Sequence, residues 1–76
     1  MMLQTLSDQI SGCMDHAAYA RERAERATSP SIRADYLVLE RRWLKLAESY
    51  RLVERTEQFL ADARRKRQSQ QQVRTH

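Results

Sequence analysis

The segment Thr28-Ser29-Pro30-Ser31 decides the fold, because it is the clearest break in a sequence that otherwise favours helix along its length. Proline loses a backbone hydrogen bond inside a helix but suits the first helical position, and serine is a favoured N-cap. A second helix is therefore predicted to start at Pro30 with Ser29 as its cap. A link this short makes the flanking helices antiparallel neighbours, so the predicted fold class is all-α, a two-helix antiparallel hairpin.

Upstream of the break, small and apolar residues recur in steps of four and three, which is the period of one helix face. This spacing predicts a first helix over about residues 7–27. Gly12 lies inside that helix at a cost of about 1 kcal/mol relative to alanine. It is compatible with a close helix crossing, a kink or the start of a shorter helix. The recurring residues are Leu6, Ile10, Cys13, Ala17, Ala20, Ala24 and Ala27.

Downstream of the break, the same steps are occupied by larger side chains. No glycine or proline follows Pro30, so the second helix is predicted over about residues 30–67, a length of roughly 55 Å. The hairpin would then occupy residues 1–67, and the glutamine-rich residues 68–76 are predicted to form a disordered polar tail. The row reads Ile32, Tyr36, Leu39, Trp43, Leu46, Tyr50 and Val53, then Glu57, Leu60 and Arg64.

The chain of 76 residues leaves room for only a small core. Below roughly 70–80 residues, a single core rarely suffices without a disulfide, a metal or oligomerisation. The single cysteine, Cys13, cannot form a disulfide within the chain. Oligomerisation is therefore the expected source of additional stability.

The second helix has a wider apolar surface than the alanine-rich first helix can cover. With Leu37 and Leu44 included, its apolar arc reaches around 200°. A second copy is the simplest cover and predicts a homodimeric four-helix bundle. The parallel or antiparallel orientation stays open, as does the surface on which Leu37 and Leu44 pack. The predicted dimer or partner interface is Tyr36, Leu39, Trp43, Leu46, Tyr50, Leu37 and Leu44.

The net charge of +4 is unevenly distributed along the chain. Residues 1–63 carry nine basic and ten acidic side chains, whereas residues 64–76 carry five basic side chains and no acidic one. A basic end of this kind attracts nucleic acid through its phosphates. The alternative is that basic residues near a helix C-terminus complement the helix dipole and need no ligand. The candidate nucleic-acid contacts are Arg64, Arg65, Lys66 and Arg67.

Few residues offer catalytic or metal-binding chemistry. Cys13 and His16 could supply zinc ligands across a dimer or form a nucleophilic pair, but Cys13 lies in the apolar row, which favours an inert thiol. No catalytic residue, cofactor or metal site is therefore predicted, and the protein is expected not to be an enzyme. The sequence contains neither an apolar stretch of membrane-spanning length nor a secretory signal, which favours a cytoplasmic location without membrane insertion.

Part of the sequence resembles a group of short proteins of rhizobium-like alphaproteobacteria that have no established activity. In those proteins a helix rich in Arg, Ala and Glu leads through a proline-containing turn to a helix with a Trp-Leu-x-Leu-Ala-x-Ser-Tyr segment. The similarity covers about residues 13–60 and is carried by residues 18–27, 29–37 and 39–50. It implies a bacterial cytoplasmic helical hairpin and no particular activity.

These observations predict a small interaction or adaptor protein that self-associates through its second helix. An additional, unidentified protein partner is compatible with the pattern. A nucleic-acid-associated regulator that uses the basic end of the second helix is the alternative.

Overall fold

The computed structural model describes residues 5–74, of which residues 71–74 are described only as helix. It contains α1, Leu6–Arg26, and α2, Pro30–Arg74, and no strand within the described range. The two helices pack against each other as an antiparallel hairpin with dimensions of 72 × 27 × 12 Å. The predicted all-α hairpin is confirmed.

The start of α1 is fixed by a pair of reciprocal hydrogen bonds. The backbone N–H of Asp8 donates to the Thr5 hydroxyl at 3.1 Å, and the backbone N–H of Thr5 donates to the Asp8 carboxylate at 3.3 Å. Such a capping box satisfies two N–H groups that have no partner within the helix. The helix therefore begins at Leu6, one residue before the predicted start.

The turn between the helices has the capping pattern that the sequence predicts. The backbone N–H of Ile32 donates to the Ser29 hydroxyl at 3.5 Å, and α2 begins at Pro30. The Arg33 guanidinium donates to the backbone carbonyl of Ala27 at 3.0 Å. That contact satisfies a carbonyl left without a helical partner at the end of α1 and ties it to the first turn of α2.

The C-terminal half of α2 is longer than predicted. The helix continues through Arg74, beyond the expected end at Arg67, so the prediction of a disordered tail is wrong for residues 68–74. Residues 75 and 76 lie outside the described residues. Glutamine is a good helix former, and no proline or glycine interrupts the segment, so nothing in its composition ends the helix. At 1.5 Å per residue, α2 is roughly 67 Å long and α1 roughly 31 Å.

The interface between the helices consists of small side chains. The buried apolar residues are Cys13, Ala17, Ala20 and Ala24 of α1 and Ala47 of α2, and within the described range no side chain larger than these is fully buried. Alanines allow the helices to approach closely, but each methyl group contributes only about 0.8 kcal/mol on burial. The larger apolar side chains of α2 therefore remain partly exposed.

Gly12 lies within the uninterrupted helix α1 and at none of its ends. A Cβ atom built on Gly12 meets nothing within 4 Å. Neither the start of a shorter helix nor a close crossing with α2 accounts for this glycine.

Neither helix, over the residues that the structure describes, has a stretch long and apolar enough to cross a bilayer.

Candidate interaction surface

A row of apolar side chains runs along α2 at intervals of seven residues, and we call it the heptad row. Each member is between 38% and 52% exposed. Seven residues make almost two helical turns, so successive members lie nearly in line and shift by only about 20° per interval. The row extends from residue 32 to residue 60 of α2, and no other element within the described residues covers it. Its members are Ile32, Leu39, Leu46, Val53 and Leu60.

The three aromatic residues predicted for the dimer interface lie beside this row and are half-buried. The Trp43 ring stacks on the His16 ring of α1, with 4.3 Å between ring centroids and 19° between planes. Tyr36 lines a shallow groove together with Arg23 of α1. Tyr36 and Trp43 therefore join the edge of the α1–α2 interface to the heptad row, and the half-buried Tyr50 continues their spacing.

Leu39 and Leu46, the other two central residues of the predicted interface, belong to the heptad row. Leu37 and Leu44 lie about 160° from them around α2, at the opposite edge of its contact with α1. Leu37 is half-buried and Leu44 is 36% exposed. The structure therefore separates the seven predicted residues into two groups that a single flat partner surface cannot cover together.

The edge that carries Leu37 and Leu44 is polar. Arg21 of α1 pairs with Glu25 at 3.2 Å and reaches across to Glu40 of α2 at 3.6 Å. These two carboxylates, Glu25 first, raise the pKa of Arg21 above its usual value. The ion pair that joins the two helices, Arg21 with Glu40, thus lies on the side of α2 away from the heptad row.

Helix α1 adds aromatic surface on the side of the heptad row. Tyr19 is 56% exposed, and the Arg23 guanidinium lies 5.6 Å from the centre of its ring. The nearby hydroxyl of Tyr36 first, and then Tyr19, raise the pKa of Arg23. The helical period places Gly12 on the same side as Tyr19, His16 and Arg23. We call this combined surface of α1 and α2 the row face.

The hairpin exposes more surface than a compact protein of the same mass. A compact 9.0 kDa protein exposes about 4,900 Å², and this chain exposes 6967 Å². The excess of about 2,100 Å² reflects its elongated shape. A standard protein–protein interface takes about 800 Å² from each partner, so the hairpin has ample surface for one.

The candidate nucleic-acid contacts Arg64, Arg65, Lys66 and Arg67 are all exposed on the distal part of α2. Arg65 pairs with Asp62 one turn earlier. Among the residues that the structure describes, the other three members of the cluster make no ion pair. This cluster lies beyond the last member of the heptad row.

Cys13 and His16 lie in different surroundings. The Cys13 thiol is buried against α2 with 4% exposure, whereas His16 points to the row face and stacks on Trp43. Within the described range, no group of three or more His, Cys, Asp or Glu side chains is placed to hold a metal ion.

No protein-family model matches the chain, and no curated protein or solved structure matches it either. The resemblance of residues 13–60 to short alphaproteobacterial proteins stays a prediction.

Proposed function

We propose that this protein is a small non-enzymatic interaction or adaptor protein that works as a homodimer, joined through the row face. The observation that carries the proposal is the exposed heptad row, Ile32 to Leu60. A row of this length and period is the pattern by which helices associate side by side.

A second copy fits this surface better than a small ligand does. The row is long, straight and open, whereas small-molecule sites are concave. Another α2 offers a row of matching length and period, and a symmetric dimer covers the same patch on both chains. The exposed area is sufficient for such an interface. Two hairpins joined in this way form a four-helix bundle along the length of α1.

The environments of Cys13 and His16 are the second argument for an adaptor role. The thiol of Cys13 is buried away from solvent, and the His16 ring packs on Trp43 as part of the contact between the helices. The proposal assigns the protein no catalysis and places it in the bacterial cytoplasm, which the resemblance supports. The dimer would present its outer helix surfaces to a further protein partner.

Charge substitution in the heptad row tests the proposal. The double variant Leu39→Glu with Leu46→Glu places two carboxylates in the proposed interface, where burial of unpaired charges is costly. Leu52→Glu is the control, because Leu52 is also an exposed leucine of α2, at 59%, but lies about 120° from the row. Light scattering coupled to size exclusion should give the mass of one chain for the double variant and of two for the control. Equal masses for all three proteins, wild type included, would contradict the proposal.

A further inference from the structure

The last part of α2 extends beyond α1, and we call residues 56–74 the free arm. The first turn of α1 lies beside Arg51, Leu52 and Arg55, as shown by the shallow groove that these residues share with Ser7 and Ile10. From Thr56 onward no helix of the described residues lies beside α2, and residues 56–70 are all exposed. The arm is roughly 28 Å long at 1.5 Å per residue.

The charge of the free arm changes sharply at residue 63. Glu57 and Asp62 are its only acidic residues, and from Arg64 to the end of the sequence there is none. Asp62 engages one cation of the cluster Arg64–Arg67, namely Arg65. The cluster therefore has a surplus of positive charge that the described part of the chain does not neutralise.

The helix dipole does not account for this cluster. Cations complement the dipole only within the last turn of a helix. Since α2 continues to Arg74, the cluster ends seven residues before the helix does, about two turns. The alternative explanation that the sequence offered for these residues therefore does not apply.

The arrangement of the four cations distinguishes between two kinds of anionic partner. Consecutive residues turn by 100°, so four of them spread over about 300° of the helix circumference. A helix that lies on a membrane needs one apolar face opposite its cations. Here Arg67 points between Leu60 and Ala63, so a cation lies within the apolar side of the arm. Cations around the circumference instead suit a helix lying in a nucleic-acid groove, with phosphates on both sides.

We propose that the free arm is a second functional site, which binds the phosphate backbone of nucleic acid through Arg64, Arg65, Lys66 and Arg67. This function is additional to dimerisation, because the arm's cations begin after the last residue of the heptad row. Binding through phosphates is independent of base sequence and depends strongly on salt. With four phosphate contacts, affinity should fall on the order of 100-fold between 50 and 200 mM salt.

The test uses the full chain and a fluorescently labelled 30-base-pair duplex of mixed sequence. Anisotropy titrations at several salt concentrations give the affinity and its salt dependence. The quadruple variant of residues 64–67 to Gln keeps good helix formers and removes the charges. It should lose nearly all of the salt-dependent affinity and retain the oligomeric state of the wild type.

Two matched double variants control for total charge. Lys66→Gln with Arg67→Gln should lower the slope of log affinity against log salt by about two contacts. Arg41→Gln with Lys45→Gln removes two exposed charges from the same helix outside the arm, and should leave the slope unchanged. Equal slopes for both double variants would overturn the assignment to the arm.

Vesicles separate the membrane alternative from the proposal. They contain phosphatidylcholine with or without phosphatidylserine, and co-sedimentation measures binding. We expect the duplex to bind more tightly than either type of vesicle. Retention on phosphatidylserine vesicles without binding to the duplex, or binding to neither probe, would overturn the proposal.

Discussion

Truncation of Leu46 gives the most quantitative test of the heptad row, because this residue lies at its centre and is 39% exposed in the single chain. Complete burial of a leucine side chain contributes about 1.5–3 kcal/mol. Burial of the remaining two-fifths on association then contributes roughly 0.6–1.2 kcal/mol per chain. A symmetric dimer contains Leu46 twice, so Leu46→Ala should weaken association by about 1–2 kcal/mol, a 5- to 30-fold rise in Kd.

Sedimentation equilibrium over a range of concentrations measures this Kd directly. Leu52→Ala is the matched control, because it makes the same chemical change on the same helix away from the row. Both variants share any effect of alanine on helix propensity, so the difference between them isolates the interface. We expect the control to keep the wild-type Kd. If Leu52→Ala weakened association as much as Leu46→Ala, the dimer contact could not be the heptad row.

Two further predictions concern α1 and its contact with α2. Gly12→Ala should stabilise the single hairpin by about 1 kcal/mol, because alanine favours helix and the new Cβ meets nothing within 4 Å. Thermal unfolding by circular dichroism, at dilutions that dissociate the dimer, measures this, and destabilisation under those conditions would contradict the prediction. Trp43→Ala should lower the free energy of unfolding by about 3 kcal/mol in urea titrations, whereas His16→Ala should cost about 1 kcal/mol through loss of the ring stack. Similar losses for both variants would mean that Trp43 contributes little beyond the stack.

The hairpin itself was predictable because its determinants are local. Ser29 and Pro30 act through bonds to residues two or three positions away, and such signals are visible in sequence. The spacing of apolar residues does not predict the cap of α1, because Thr5 lies before that spacing begins. It has a recognisable signal, a threonine followed three residues later by a carboxylate that bonds back to it.

The predicted end of α2 differs from the structure because it rests on a polar composition that is typical of disorder. Gln68 to Gln72 lack apolar side chains, but glutamine is compatible with a continuing helix, and no breaker is present. This error also affected the candidate nucleic-acid site. Once the helix continues to Arg74, the basic cluster no longer lies at its end, and the dipole explanation fails.

The spacing of apolar residues along α2 does not predict that the interface residues separate into two groups. The spacing of apolar residues identifies a wide face on α2, but the rotation of α2 against α1 decides which part of it stays exposed. Cross-helix contacts such as His16 with Trp43 and Arg21 with Glu40 accompany that rotation. They depend on which residues of the two helices lie at the same height, and no local pattern encodes this.

The mass of the unmodified chain in solution tests the central claim most directly, since the exposed row on α2 requires a second copy to cover it. Sedimentation equilibrium at micromolar concentration should give the mass of two 9.0 kDa chains, with dissociation only on dilution. A folded helical protein with the mass of a single chain throughout that range would contradict the account.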